Sequence, residues 1–218
     1  MQHEPNAATF FNGFAETFDT IYDQKRNLFM RWVDCTFRSD MFIRYAMTFE
    51  ALGRIKNSTI LDVGCGSGPY IVEAFKRGAA RVTGIDPAPN MLALVRERLR
   101  QNGLWKDRCE LLEGIFPGVL VQPHEYAIVM GVMDYVPDAL AFLTALKPVV
   151  TRLAVLSFPS EHWFRTPFRK IRYRLRRCPV YFYDEARIRR LCSTAGFTDV
   201  QIRKIPGAGM DFHVCLKP

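Results

Sequence analysis

The stretch Thr59–Gly68, TILDVGCGSG, constrains this chain more than any other. Its first half is β-branched and apolar, which is typical of a short buried strand. Glycines then stand at alternate positions, Gly64, Gly66 and Gly68, and a helical pattern begins directly after them. Residues without a Cβ let the backbone approach a ligand and adopt positive φ angles. A strand, glycine loop and helix in this order therefore predict an α/β sheet that holds a nucleotide-like ligand.

Strand and helix patterns alternate from Ser58 onward, as in a sheet built from right-handed crossover units. We predict helices over Pro69–Arg77, from Pro89 to about Leu99, over Pro137–Leu146, and from the N-cap Asp184 to Ala195. The predicted strands are Thr59–Val63, Arg81–Ile85, Cys109–Leu112, Tyr126–Met130 and Leu153–Phe158.

Two further strands end the chain, one in FTDVQIRKI and one over Met210–Leu216. The IPGAG connection between them is too short for a helical crossover, so they must pair antiparallel. The predicted fold class is α/β: a doubly wound, seven-stranded, mostly parallel Rossmann-like sheet with an antiparallel last strand and N-terminal helices.

The whole chain, 1–218, is expected to form a single domain, because 218 residues with 49% apolar content suffice for one core. Aromatic residues at helical spacing near the start predict an N-terminal helical cap over 1–56. The Rossmann-like core then covers 57–218, and 160–183 is an insertion on the side where an acceptor would arrive.

Cysteine usage and the N-terminus bear on the compartment. The six cysteines are scattered without metal-ligand spacing, so we expect reduced thiols and no metal site. The first ten residues, MQHEPNAATF, do not resemble a signal peptide, and no window is long and apolar enough to span a membrane. The expected localisation is cytoplasmic.

Two acidic residues stand at the predicted ends of neighbouring strands: Asp62 in strand one and Asp86 after strand two. Ligands of doubly wound sheets bind beyond the carboxyl ends of the strands, near the point where the strand order reverses. A carboxylate there can accept two hydrogen bonds from the vicinal hydroxyls of a ribose. The spacing predicts a cofactor that contains a nucleoside.

The glycine pattern separates two families. A dinucleotide fingerprint, GxGxxG, would require a third glycine where this chain has Pro69, which disfavours an NAD-dependent oxidoreductase. The chain has GxGxG two residues after Asp62, followed by GIDPAPNML. This combination resembles the first two motifs of class I S-adenosylmethionine-dependent methyltransferases, and the resemblance covers roughly Thr59 to Lys217.

The resemblance implies roles for individual residues. The loop would lie under the methionyl part of S-adenosylmethionine, Asp62 near its ammonium group, and Asp86 would bind the ribose. Met130 and Gly131, at the end of strand four, would border the sulfonium. The loop residues in this assignment are Gly64, Cys65, Gly66 and Gly68.

The adenine side departs from the family pattern. Pro87 and Ala88 would flank the ring, and the end of strand three would face its other side. Many members carry Gly-Asp there, where this chain has Gly114-Ile115. Recognition of the adenine is therefore expected through backbone groups of Ile115 or through Glu113.

Candidate catalytic residues lie where the acceptor would arrive. Methyl transfer is an in-line attack on a sulfonium carbon, for which the protein supplies position and, for a hydroxyl acceptor, often a base. The candidates are Asp134, Tyr135 and His162. Asp134 can instead cap the helix near Pro137, Tyr135 can be a packing residue, and His162 can cap the next helix or touch a phosphate.

Of the other histidines, His124 is expected to be an exposed loop residue, and His213 a structural residue of the last strand. Neither is assigned a role in the reaction.

A basic segment, Arg165–Arg177, contains six arginines, one lysine and no acid, and so accounts for all but one of the net charges of +8. Its apolar residues recur at helical spacing, so it reads as a helix with a basic surface. The segment can be a solvated face, a site for an anionic acceptor, or a contact with an anionic membrane surface. Nucleic acid is not expected as a partner.

The sequence thus predicts transfer of a methyl group from S-adenosylmethionine, leaving S-adenosylhomocysteine. The acceptor atom is an oxygen in preference to a nitrogen, on a small acceptor that is anionic or linked to a carrier or lipid. The alternative from another class is a non-catalytic cofactor-binding subunit that activates a partner.

Overall fold

The computed structural model describes residues 41–104, 107–160, 180–206 and 211–218. Its α-helices are α1 (41–52), α2 (Pro69–Lys76), α3 (Pro89–Gln101), α4 (Ala139–Leu146) and α5 (Glu185–Thr194). Its strands are β1 (Thr59–Val63), β2 (Arg81–Asp86), β3 (Cys109–Glu113), β4 (His124–Val129), β5 (Val150–Phe158), β6 (Asp199–Lys204) and β7 (Phe212–Lys217).

The strands form one sheet in the order β3-β2-β1-β4-β5-β7-β6. Strands β1 to β5 pair parallel with one another, whereas β7 pairs antiparallel with both β5 and β6. The predicted fold class is confirmed, including the reversed last strand. It follows from the crossover helices and from the short β6–β7 connection.

Helices cover the two faces of the sheet. On one face α2, α3 and α1 bury residues such as Ile71, Leu92 and Leu52 against the sheet. On the other face α4 and α5 bury Leu143 and Ile188. Each buried aliphatic side chain of this kind contributes roughly 1.5 to 3 kcal/mol of hydrophobic stabilisation.

Helix α1 is fixed to the core by aromatic side chains. The ring of Phe49, which is 1% exposed, lies 5.0 Å from that of Tyr45 and 5.9 Å from that of Tyr70 on α2. The Tyr45 and Tyr70 rings are 5.2 Å apart. Helix α1 lies within the range 1–56 of the predicted cap, and its aromatic rings pack on α2.

The start of α4 differs from one expectation. The helix begins at Ala139, and its N-cap is Asp138, whose carboxylate accepts a hydrogen bond of 2.9 Å from the Ala141 N–H. The interpretation of Asp134 as the cap is wrong, because the chain makes one further turn before the helix. By contrast, Asp184 caps α5 as predicted and accepts from the Arg187 N–H.

His124 also differs from its expectation as an exposed loop residue. It begins β4 and is 7% exposed. Its Nδ1 lies 2.6 Å from the Gln122 carbonyl oxygen, and its Nε2 lies 2.9 Å from the Thr83 hydroxyl. Burial lowers its pKa, so this histidine is a neutral structural residue at the amino end of the strands. No helix in the described part of the chain is long and apolar enough to cross a membrane.

Candidate functional site

The site lies where the strand order reverses, between β1 and β4. The two strands run parallel, with Asp62 opposite Ile128, so the loops that follow them open at the same edge of the sheet. The edge between strands with oppositely directed crossovers forms a crevice in folds of this kind. The residues that follow β1, β2 and β4 meet at this crevice.

The glycine loop turns sharply after β1. The N–H groups of Gly64 and Cys65 both donate to the Ile85 carbonyl oxygen, at 2.7 and 3.0 Å. Gly68, with φ of 77°, leads into α2, and a Cβ added there would lie 2.9 Å from both Cγ atoms of Val95. Glycine is required at that position, because α3 packs directly on the loop.

A cation on α3 holds the middle of the loop. One guanidinium nitrogen of Arg98 donates to both the carbonyl oxygen and the hydroxyl oxygen of Ser67, at 3.1 and 2.9 Å. Next to this anchor, Gly66 has φ of 52°, and a Cβ built on it would have nothing within 4 Å. The loop is therefore held in place by Arg98, while the space next to Gly66 is free for a ligand.

Asp86 is oriented by two backbone donors. Its Oδ2 accepts from the Gly66 N–H at 2.8 Å, and its Oδ1 accepts from the Ala88 N–H at 2.9 Å. Each carboxylate oxygen keeps a second lone pair for a ligand hydroxyl. Burial raises the pKa of Asp86, and the two N–H donors counter that rise by favouring the anion. The Asp86 carboxylate is therefore preorganised to accept hydrogen bonds from a diol.

Asp62 is buried more completely, at 2% exposed, and its Oδ2 has no hydrogen-bond partner among the described residues. Burial raises its pKa to about 8, and the negative charge of Asp86 adds to the rise. An uncompensated buried carboxylate is costly, and a cationic ligand group would remove that cost. The pair fits a ligand with a diol and a cationic group, such as S-adenosylmethionine.

Residues assigned to the adenine lie at the edge of this crevice. Ala88 is fully buried and packs with Met91, while Pro87 is half-buried. Ile115, which the sequence assigned to the other side of the ring, is 60% exposed. The Gly114 N–H donates to the Asp86 carbonyl oxygen at 3.2 Å, so this turn is tied to β2.

The turn after β4 lies beside two residues that the sequence did not single out, Ser157 and Arg44. Gly131 has φ of 73°, and its N–H donates to the Ser157 hydroxyl at 2.8 Å. A Cβ added to Gly131 would lie 3.7 Å from the guanidinium of Arg44 on α1. Met130, before it, is 8% exposed. Helix α1, which lies outside the sequence motifs, thus places the Arg44 guanidinium at the site.

Asp134 and Tyr135 follow this turn. Asp134 is 8% exposed, and its carbonyl oxygen accepts from the Tyr181 N–H at 2.9 Å. Burial raises the pKa of Tyr183 to about 12. The charge of Arg187 opposes this rise, and the charge of Asp134 adds to it. The Tyr183 hydroxyl donates to the Met133 carbonyl oxygen at 3.4 Å. The structure therefore brings Asp134 together with the two tyrosines that precede α5.

Two sets of predicted residues fall outside the described part of the chain. These are the catalytic candidate His162 and the basic segment Arg165–Arg177.

Comparison with known proteins shows that this chain is similar to methyltransferases. Residues 60–152 match a family model described as a methyltransferase domain. A ubiquinone biosynthesis O-methyltransferase of Neisseria meningitidis is 28% identical over 172 residues, which cover 73% of this chain and 70% of that protein. A tRNA U34 carboxymethyltransferase of Shewanella baltica is 38% identical over 76 residues, or 30% of this chain, which spans 22% of that relative.

A solved structure supports the same fold. The magnesium protoporphyrin IX methyltransferase of Synechocystis PCC 6803, with bound S-adenosylhomocysteine, superposes with a TM-score of 0.75. The two chains are 18% identical, and the match covers 97% of this chain and 98% of the other. Residues 60–152 thus match a methyltransferase domain, and the chain shares the fold of S-adenosylmethionine-dependent methyltransferases.

Proposed function

We propose that this protein transfers a methyl group from S-adenosylmethionine to an oxygen of a small anionic acceptor. The observation that carries the proposal is the pairing of Asp62 and Asp86 around a glycine loop that is open at Gly66. One carboxylate would meet a cation, and the other would meet the ribose hydroxyls. The methyltransferase domain matched over 60–152 favours this cofactor over a nicotinamide dinucleotide.

An oxygen acceptor is supported by the relative that aligns over most of both chains, whose name specifies O-methylation. The site adds a chemical reason. Asp134 lies after the β4 turn, where an acceptor would approach, and a carboxylate there can take the proton of a hydroxyl as it attacks. Nitrogen acceptors remain the second choice, because a neutral amine attacks without prior loss of a proton.

When bound, S-adenosylmethionine supplies the electrophilic methyl carbon. Asp86 would hold its ribose and Asp62 its ammonium group, while Arg44 can meet its carboxylate, because the guanidinium lies beside Gly131. Met130 would border the sulfur. These residues bind and orient, and the acceleration they provide comes from position rather than from covalent chemistry.

The cofactor assignment predicts the behaviour of Asp86→Asn. The amide keeps the size of the side chain but replaces one acceptor by a donor, so either Gly66 or Ala88 loses its partner. We expect the affinity for S-adenosylhomocysteine to fall about 10- to 100-fold, since hydrogen bonds to a charged group are worth roughly 1.5 to 3 kcal/mol. Isothermal titration calorimetry measures this affinity.

The matched control for that variant is Asp138→Asn. It makes the same chemical change at the α4 N-cap, where asparagine and aspartate cap equally well. It should bind the cofactor product as the unmodified protein does. Binding of NAD but not of S-adenosylhomocysteine by the unmodified protein would refute the cofactor assignment.

The acceptor assignment predicts the behaviour of Asp134→Asn. A hydroxybenzoate offers a phenolic oxygen and a carboxylate, and mass spectrometry would detect its gain of one methyl group. We expect kcat to fall about 100-fold or more, as for loss of a general base, while S-adenosylhomocysteine still binds. Tyr135→Phe tests the second candidate in the same assay, and an unchanged kcat in either variant removes that residue from the mechanism.

The same assay tests the non-catalytic alternative. Binding of S-adenosylmethionine without methylation of any hydroxyl, carboxyl or amine probe would indicate a subunit that activates a partner.

The basic segment, Arg165–Arg177, is proposed to receive the anionic part of the acceptor. Seven cations without an acid in thirteen residues attract an anion strongly. Sedimentation with anionic vesicles, reversed by salt, would instead assign the segment to a membrane surface.

A further inference from the structure

A second cavity lies on the sheet face below α1, apart from the crevice described above. Its volume is about 290 Å³, and it is bounded by α1 on one side and by β5, β7 and β6 on the other. The residues that line it are Met47, Glu50, Ala51, Leu153, Asp199, Gln201, Arg203, His213, Cys215 and Lys217.

The register of β6 and β7 explains why polar side chains collect there. Arg203 pairs with His213, Gln201 with Cys215, and Asp199 with Lys217. Paired residues of adjacent strands share a face of the sheet, and every second residue of a strand does so as well. A ladder of three pairs therefore faces the cavity, exposed at Gln201, Arg203 and Lys217 and buried at His213.

The buried end of this ladder holds an imidazole with an unmet hydrogen bond. His213 is 2% exposed, and its Nε2 has no partner within the described ranges of the chain. Its Nδ1 lies 3.9 Å from the Cys215 sulfur. Burial raises the pKa of that thiol, so the thiol keeps its proton and can donate to Nδ1. The ring then carries its own proton at Nε2, as a donor.

The charges around His213 favour an anion. Arg203 on β6 and Arg44 on α1 both act on the ring, and with burial they lower the pKa of His213 to about 4. Of the two acids that line the cavity, Asp199 pairs with Lys217 at 2.8 Å, two ladder positions away from His213, and Glu50 is exposed on α1. Arg203 has no ion-pair partner in the part of the chain that the structure describes.

Apolar side chains also line the cavity. Met47 and Ala51 of α1, on either side of Glu50 in the sequence, and Leu153 of β5 contribute them. A ligand that fits both parts of the lining has a charged oxygen group at one end and a short hydrocarbon body at the other.

We propose that this cavity binds a small amphiphilic carboxylate, with its anionic group between Arg203 and His213 and its apolar body against Met47, Ala51 and Leu153. Such a ligand would accept the Nε2 proton in a hydrogen bond and place a negative charge beside the two arginines. The site adjoins the proposed cofactor site, because Arg44 acts on His213 and also lies beside Gly131, but the residues that line the cavity include none of the glycine loop.

The test uses hexanoate as the probe and imidazole NMR signals of ¹⁵N-histidine protein as the readout. Hexanoate should shift the His213 signals in a saturable way and leave those of His124 unchanged, because His124 is buried at the other end of the strands. The pKa of His213 should rise when hexanoate binds, since an anion favours the imidazolium. A spectrum without a change at His213 overturns the proposal.

Matched probes and a variant define the chemistry. Hexanol has the same body without the charge, and inorganic phosphate has a charge without the body. Neither should match hexanoate, and equal binding of either would overturn the amphiphilic assignment. Arg203→Gln should weaken hexanoate binding about tenfold. Arg189→Gln, at an exposed position of α5, should not weaken it. An Arg203→Gln protein that binds hexanoate unchanged contradicts the proposal.

Calorimetry with S-adenosylhomocysteine on the same samples separates the two assignments. Binding of S-adenosylhomocysteine without hexanoate would refute the second-cavity proposal alone. Binding of hexanoate without S-adenosylhomocysteine would refute the cofactor assignment alone.

Discussion

Asp62 is a carboxyl group whose buried surroundings differ strongly from water. The protein without its cofactor keeps a proton on this carboxyl up to about pH 8, whereas the unfolded chain loses it near the ordinary value of 3.8. Between those values the folded state binds more protons than the unfolded state. The free energy of unfolding therefore falls as the pH rises through this window.

This imbalance gives a measurable pH dependence. From Asp62 alone we expect a loss of up to about 1.4 kcal/mol per pH unit between roughly pH 4 and pH 8. Urea unfolding at about pH 6 and about pH 8 measures the change, and Asp62→Asn should flatten it. A saturating concentration of S-adenosylhomocysteine should restore more stability at the higher pH. An equal slope in the Asn variant would contradict the burial of this charge.

At the scale of elements, the glycine loop has a positive φ angle and open space at Gly66. Gly66→Ala should lower the affinity for S-adenosylhomocysteine at least about tenfold, because a methyl group would protrude into the open front of the cradle. Its positive φ adds a stability cost of about 1 to 2 kcal/mol. Calorimetry measures the first effect, and thermal unfolding measures the second.

Gly103→Ala is the matched control for the loop. Gly103 follows α3 with φ of 64° and also has nothing within 4 Å of an added Cβ, so the strain is similar. This variant should lose the same stability and keep its affinity. Equal losses of affinity in both variants would show that Gly66 has no contact with the ligand.

Regular elements were predictable from the sequence, and their ends were less so. The apolar runs of β1, β2 and β5 and the N-cap at Asp184 fix local structure by short-range rules. The start of α4 was not predictable in this way, because Asp134 and Asp138 both precede the apolar run. Only the path of the β4 turn decides between them.

At the scale of the whole molecule, the site depends on one face of the core more than on the other. Leu52 packs α1 on the sheet, and Leu146 packs α4 on the opposite face. Each Leu→Ala change should cost about 2 to 5 kcal/mol of unfolding free energy. Only Leu52→Ala should also weaken S-adenosylhomocysteine binding, because α1 carries Arg44. Equal affinities in the two variants would refute this role of the helix.

Long-range contacts explain which parts of the site the sequence could not show. Asp62, the glycines and Asp86 lie in contiguous motifs, so their approximate placement followed from strand order. Arg44 and Ser157 reach the same crevice from α1 and β5 without a motif. Burial of His124 and of His213 likewise depends on neighbours in other strands. Local patterns contain no information about such packing.

The buried carboxyl of Asp62 also bears on which nucleotides this fold can admit. Glycine loops that lead into a helix are widely used to hold phosphate, because the helix N-terminus attracts anions. Here the buried Asp62 carboxyl is ionised only beside a cationic ligand group, and a pyrophosphate does not offer one. A glycine loop of the kind that binds dinucleotides in other proteins is thus made selective for a cationic ligand by one side chain.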